Sequence, residues 1–396
     1  MRNGKAMIHR DQCDACGGPL SDVFDMGSLP LANGLRTAEQ IKQPSERFPL
    51  LVAECDVCSL VQLRHLVPPA ILYNRYCFFS GASAPNARYF RGLAGWIKEL
   101  SGGDRVLEIG SNDGTLLVEL EQAGFDVTGI DPASSQCDLA QARLSRGKVI
   151  CDYWGTAAAY DQKGLFDVVV ACNVLGHSND LRDFVGAIKR VLKTFGLLVV
   201  EVQYLKSLLA ASAFELIYHE HVSYFDEVSL ARLLTSCGFK VLGWETTDSQ
   251  CGTLRMWASG IGGGVVPEPS KQDWTAFRDG IALRHDAILD SIATAKAEGR
   301  RVCFYGSPAK ATQIANYWRL GTNTIEFATD TTPAKQGHYI PGALIPIVPR
   351  SHLLPTDAAI VTTWNHWPHI IQQEAEFIAA GGKLICPTLE SVPCES

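Results

Sequence analysis

The chain has 396 residues, 46% of them hydrophobic and 19% charged, with a formal net charge of −7. That length holds two or three domains with cores of their own, and the acidic balance argues against nucleic acid or an anionic membrane surface as the main partner, since both demand concentrated Lys and Arg. Met1 to Arg10 carries no apolar core of signal-peptide length and no later run approaches a membrane span, so the expected location is the cytoplasm.

Residues 1–70 read as a loop-rich module built on Cys13-Asp14-Ala15-Cys16 and Cys55-Asp56-Val57-Cys58. Each CxxC is a tight knuckle whose two thiolates face one ion, and two knuckles complete a tetrahedral shell for structural zinc with no position left open for catalysis. A redox CxxC would stand beside a βαβ pattern, and neither pair does. Of the other cysteines, Cys172, Cys237 and Cys386 lie singly in apolar stretches, which fits a reducing compartment.

Residues 71–250 form the next unit. An aromatic segment containing Tyr73, Tyr76, Phe78, Phe79, Tyr89 and Phe90 leads into an α/β alternation. Arg105 to Ile109, Asp126 to Ile130, Phe166 to Cys172 and Leu197 to Val202 are predicted strands, with amphipathic stretches such as Leu181 to Thr194 between them. The alternation predicts a parallel, doubly wound sheet.

The first strand runs through Glu108 into Gly110-Ser111-Asn112-Asp113-Gly114, a glycine-bearing turn at a helix start. Glycines there let a ligand approach the backbone, and the helix offers free N–H donors. The turn lacks GxGxxG, so it is no dinucleotide fingerprint. Asn112-Asp113 in place of the second glycine suits a zwitterion, Glu108 being within reach of its ammonium group. Asp131 ends the next strand, where a carboxylate accepts from ribose hydroxyls. Asp152-Tyr153-Trp154 follows the third strand position, where an aromatic can stack on adenine. Asn173 and His177 follow the strand Phe166 to Cys172, at the edge where open α/β sheets bind ligands.

Tyr218-His219-Glu220-His221 sets a phenol, two imidazoles and a carboxylate in consecutive positions within an apolar context. Such density is costly unless the groups are paired or used. In an extended segment His219 and His221 share one face; a turn brings Tyr218 to His221 instead. Spacing alone does not choose between the histidines.

Residues 251–396 begin with a long helix, roughly Lys271 to Glu298, whose Trp274, Phe277, Ile281, Ile288 and Ile292 keep one face apolar. The alternation then restarts, with strands at Arg301 to Tyr305, Ile325 to Thr329, Ala358 to Thr362 and Lys383 to Cys386. Lys310 stands at a helix start after a strand, placed to attract a diphosphate, and Trp364-Asn365 follows another strand on the ligand-facing edge.

Glu-x-Gly-x-x-x-Gly followed by Asp131 resembles the S-adenosylmethionine site of class I methyltransferases. With the CxxC pairs, Tyr76 to Ser83, Asn173…His177, Tyr218-His219-Glu220-His221, Gly306-Ser307-Pro308-Ala309-Lys310, Lys335-Gln336-Gly337, Trp364-Asn365 and Gly381-Gly382-Lys383 in order, nearly the whole chain resembles the zinc-containing sugar C-methyltransferases that build branched deoxysugars on nucleotide carriers. The resemblance implies a class I methyltransferase domain at 71–250 and a second Rossmann-like, substrate-binding domain at 251–396. It implies methyl transfer to a sugar carbon beside a ketone, with His221 as base and Tyr76, His177, Tyr218 and Glu220 lining the pocket. The cofactor contacts expected are Glu108, Gly110, Asn112, Asp113, Gly114, Asp131, Asp152, Tyr153 and Asn173, with Lys310, Trp364 and Asn365 on the carrier. Departures lie at Gln250-Cys251-Gly252-Thr253 and at Phe78-Phe79, where the family pattern differs. The partner expected is a small molecule, a nucleotide sugar, bound by a monomer or small homo-oligomer. The alternatives are a nicotinamide-dependent oxidoreductase or epimerase, a zinc-organised binding module with an inactive methyltransferase fold, and an O- or N-methyltransferase.

Overall fold

A computed structural model describes residues 7–72, 84–155, 164–247, 252–263 and 268–388. Tyr76, the segment 73–83 and Gln250-Cys251 lie outside the described residues.

The central sheet has seven strands in the order Lys240–Thr247, Thr253–Ser259, Leu192–Gln203, Phe166–Cys172, Arg105–Ile109, Asp126–Asp131 and Lys148–Cys151. Thr253–Ser259 runs antiparallel to both neighbours, while the strands from Leu192–Gln203 to Lys148–Cys151 are mutually parallel. Val106, Leu107, Val168, Val169, Val170, Leu198 and Val199 are all buried, the near-continuous apolar run of a sheet covered on both faces. Helix Leu181–Val191 lays Leu181, Phe184, Val185, Ile188 and Val191 on the sheet, and Asp180 caps it by accepting from the Asp183 N–H at 2.8 Å. It stops before the expected Thr194 because the chain enters the strand at Leu192. The expected boundary at residue 250 falls inside this sheet. Thr253–Ser259 pairs residue by residue with Leu197–Gln203, so the sheet runs on to Ser259.

Helix Trp274–Ala297, capped by Asp273, connects this unit to a second sheet. Its apolar stripe is the expected one, with Arg284 buried in the middle of it. The second sheet is parallel throughout, in the order Ile347–Val348, Ala328–Thr329, Val302–Tyr305, Ala358–Val361, Lys383–Ile385.

The cysteine module carries an antiparallel sheet of Leu20–Leu29, Phe48–Cys55 and Val61–Leu63, and its fourth strand is Ser223–Tyr224. Ser223 pairs with Gln62 and Tyr224 with Val61. The residues just after the His-Glu-His run are thus built into the module. Among the described residues no helix is long and apolar enough to cross a membrane.

Candidate active site

Gly110 and Gly114 hold φ values of +73° and +77°, which side chains rarely adopt, and a Cβ on Gly110 would stand 2.9 Å from the Val174 side chain. The turn therefore packs against the end of the strand Phe166–Cys172, at the point where strand order reverses and a ligand crevice opens. Asp131 accepts from the Asn112 N–H at 3.0 Å and from the Ala133 N–H at 2.9 Å, which leaves lone pairs for further donors. Glu108 is buried with Oε2 unpartnered, and burial beside Asp131 and Asp113 holds its carboxyl well above the usual range. The nearby Ser111 hydroxyl is buried and unpartnered too. A backbone cradle with an unpaired buried carboxyl fits a ligand that brings its own cation.

The other expected cofactor residues divide. Asn173 is exposed just past the strand end, with φ +53°. Asp113 turns inward, its Oδ1 accepting from the Thr115 hydroxyl at 2.6 Å and lying 3.4 Å from Arg143, so it braces the helix start. Asp152 and Tyr153 are exposed after the strand Lys148–Cys151, Tyr153 to 58%.

The turn Leu175–His177 follows Asn173 and carries His177 toward Tyr218-His219-Glu220-His221. The Gly176 carbonyl accepts from Val222 N–H at 2.7 Å, while the Val222 carbonyl accepts from Leu63 N–H at 2.9 Å. Pinned on both sides, residues 218–221 form a turn closed by His221 N–H donating to the Tyr218 carbonyl at 2.9 Å. The turn decides what spacing could not. Tyr218 Oη lies 2.7 Å from His221 Nε2, and His221 Nδ1 lies 2.9 Å from the Leu216 carbonyl. A carbonyl only accepts, so Nδ1 carries the proton and Nε2 presents its lone pair to the tyrosine hydroxyl. The His177 ring stands edge-on to His221 with centroids 4.9 Å apart, and the Glu220 backbone is its hydrogen-bond partner. Burial pushes His221 down to about 3, the His177 ring adding to the fall, and burial takes His177 to about 4. Both are neutral near pH 7.

His219 points away. It is buried, edge-on to Phe48, and bonds through Nε2 to the Phe48 carbonyl at 3.1 Å. Glu220 was expected; its partner was not. Asn33, from the cysteine module, donates its amide to Oε1 and Oε2 at 2.9 Å each, while burial lifts the carboxyl to about 7. Glu220 and Asn33 line a cleft of about 470 Å³ with Pro30, Arg36, Phe48 and Pro341. Only an Asn-Gly turn signal marks Asn33 in the sequence, and it says nothing of this contact.

The neighbour of Asn33 reaches the other domain. The Ala32 carbonyl accepts from the Thr312 hydroxyl at 2.8 Å, in the helix Ala309–Tyr317 that also bears Lys310. Lys310 Nζ donates to Asn365 Oδ1 and stands 4.9 Å from the centre of the Trp364 ring. This cluster occupies the strand-order reversal of the second sheet. Trp364 differs from its expected role as a carrier contact: it is fully buried, its indole N–H donating to Glu215 at 2.7 Å. Arg255, just past the departing residues, pairs with buried Glu201 at 2.7 Å.

In the module, Cys13 Sγ lies 3.6 Å from Cys58 Sγ and Cys16 Sγ 3.4 Å from Cys55 Sγ, all four within 4.8 Å. Thiolates on a tetrahedral zinc with bonds near 2.3 Å sit about 3.8 Å apart, so the set fits that ion. Val57 and Cys58 N–H groups point at Cys55 Sγ at 3.4 Å, as in a metal knuckle.

Comparison with known proteins fits each part. Residues 13–73 match a zinc binding domain family, 86–243 a methyltransferase domain family, and 269–388 the family described as C-methyltransferase C-terminal domain. The C-methyltransferase NovU of Streptomyces niveus is 32% identical over 96% of both chains. The chain belongs to the C-methyltransferase family. This C-methyltransferase is an S-adenosylmethionine-dependent enzyme with a zinc-binding module, and the nicotinamide-dependent alternative falls away. More limited likeness extends to the ubiquinone biosynthesis O-methyltransferase of Rhodopseudomonas palustris strain BisA53, 33% identical over 25% of this chain and 39% of that one. The PH0226 protein of Pyrococcus horikoshii OT3 shares 16% identity at a TM-score of 0.40, over 47% of this chain and 97% of that one.

Proposed function

We propose that this C-methyltransferase methylates the carbon alpha to a ketone on a nucleotide-linked keto-deoxysugar. The observation that carries the reading is the Tyr218–His221 pair: a neutral imidazole with its proton fixed on Nδ1 and its lone pair held by the Tyr218 hydroxyl, in the same turn as the cleft-lining Glu220. A carbon becomes a nucleophile only when it loses a proton, so a carbon methyltransferase of this kind needs a base.

When bound, S-adenosylmethionine supplies an electrophilic methyl group; Glu108, the Gly110–Gly114 turn, Asp131 and Asn173 are the residues to hold it. His221 Nε2 takes the alpha proton, the C–H pair becomes the C=C bond of the enolate and the carbonyl π pair moves onto the oxygen, leaving the alpha carbon nucleophilic toward the methyl group. The acceptor carbon replaces the Tyr218 hydroxyl at Nε2, freeing that hydroxyl to donate to the oxygen where charge develops. Glu220, while its carboxyl is protonated, supplies a further donor, and His177, neutral with its N–H on the Glu220 backbone, stands edge-on beside the base. Low basicity in the resting site is no obstacle, because the enolate formed beside it favours the imidazolium in the same buried volume. Lys310 and Asn365 hold the anionic carrier, and the apolar walls exclude water.

Incubation with S-adenosylmethionine labelled with ¹³C in the methyl group and a panel of thymidine diphosphate keto-sugars tests the reading. A product whose labelled methyl carbon couples directly to a ring carbon is expected; label on oxygen or nitrogen overturns it.

A further inference from the structure

The reaction makes no use of an ion pair buried at the junction of the domains. Arg284, in the helix Trp274–Ala297, donates through Nη2 to Glu215 Oε1 at 2.7 Å and through Nη1 to Oε2 at 3.1 Å, and both side chains are fully buried. Its remaining bonds go to the carbonyls of Ser212 and, at 2.8 Å, Pro387. Glu215 Oε1 accepts a further bond from the Trp364 indole. A buried pair of this kind is weak as a stabiliser, because desolvation offsets its attraction. Its geometry is rigid, and both ends lead to functional groups.

On one side Glu215 sits in the turn Phe214–Leu216, and the carbonyl of Leu216 is the group that fixes the His221 proton on Nδ1. On the other side Trp364 lies under Lys310 Nζ, and Lys310 bonds the next residue, Asn365. Lys310, Trp364, Glu215, the Leu216 carbonyl and His221 thus form one continuous chain of contacts between the two domains.

We propose that Glu215 is a positioning residue that couples capture of an anionic carrier at Lys310 to the orientation of the His221 imidazole. This rests on the function proposed above. An anionic oxygen that draws Lys310 off the Trp364 ring and off Asn365 moves the turn holding Trp364. The indole N–H, committed to Glu215, passes that movement to the turn Phe214–Leu216 and so to the carbonyl that aligns the base. Binding energy from a remote part of the substrate then appears in the chemical step as well as in affinity.

The experiment measures exchange of the alpha proton with deuterated solvent, using the full enzyme, S-adenosylhomocysteine and a thymidine diphosphate keto-sugar, for wild type, K310M, W364F and the double variant. Phenylalanine keeps the ring beneath Lys310 and removes only the donor to Glu215. W364F is expected to lower kcat about tenfold with little change in KM, and to shift the pH profile of kcat. K310M alone is expected to lower kcat as well as raise KM; in the W364F background it should raise KM only. Independent, multiplicative effects on kcat in the double variant overturn the coupling. So does a K310M enzyme with raised KM and wild-type kcat, a result that stands even if W364F does not fold. Wild-type enzyme that exchanges no alpha proton instead overturns the proposed function beneath it.

Discussion

The Tyr218 hydroxyl lies 2.7 Å from His221 Nε2 while the opposite ring nitrogen is committed to the Leu216 carbonyl. The pair is therefore directional, with the phenol donating and the imidazole accepting. Replacing His221 with Asn removes the acceptor of the alpha proton and should lower methyl transfer by about 10²–10⁴. Tyr218→Phe keeps the base and loses one donor to the enolate, with an expected loss of about 10² in kcat. Steady-state kinetics of both variants check the order; a larger loss in Tyr218→Phe would make the phenol the base.

Glu220 supplies a pH dependence. Its carboxyl, lifted to about 7 by burial against the pull of Asn33, is protonated and able to donate below that pH. kcat/KM should therefore fall as pH rises through about 7. Glu220→Gln keeps a donor that does not titrate and should flatten this limb while retaining activity. An unchanged limb in the glutamine variant assigns it to another group.

His219 gives a stability prediction. The folded-state value, about 4, lies below the unfolded value near 6.5, so the unfolded chain binds the extra proton. Its contribution is intact above about 6.5 and is lost as pH falls toward 4, amounting to at most about 3 kcal/mol. Urea unfolding of wild type and His219→Gln should converge with acidification across that window. A constant difference between them contradicts a buried neutral imidazole.

The expected alternation of strands and helices agrees with the parallel strands of both sheets because buried strands carry their apolar runs locally. The boundary at 250 missed an antiparallel strand, Thr253–Ser259, whose partner Leu197–Gln203 lies far back in the chain. The same limit applies at the site. Tyr218, Glu220 and His221 were visible as a dense cluster, but whether the segment turned or ran straight depended on Leu63 and Gly176 gripping Val222. Asn33, Glu215 and Arg284 are ordinary residues in their own surroundings; long-range pairing alone gives them significance. Trp364 read as an edge residue from its strand, and its burial follows from an acid on another domain.

Zinc removal should reach the active site although the four metal-binding cysteines stand in the N-terminal module. Structural zinc contributes folding free energy to its module, and that module supplies Asn33 and the strand partner of Ser223–Tyr224. Metal removal by chelation, or Cys55→Ser, should abolish methyl transfer while S-adenosylhomocysteine binding, measured by calorimetry, stays within a few-fold of the intact enzyme. Full activity without metal contradicts the module's role in the pocket.

The central claim is proton removal by His221 from the carbon that receives the methyl group. Solvent deuterium incorporation at that carbon, measured by NMR with a thymidine diphosphate keto-sugar and S-adenosylhomocysteine in place of the methyl donor, tests it most directly. Wild-type enzyme should exchange the proton, and His221→Asn should not, at equal binding of the sugar. Exchange that persists in His221→Asn, or methylation of the carbon by an enzyme that never exchanges its proton, would contradict the account.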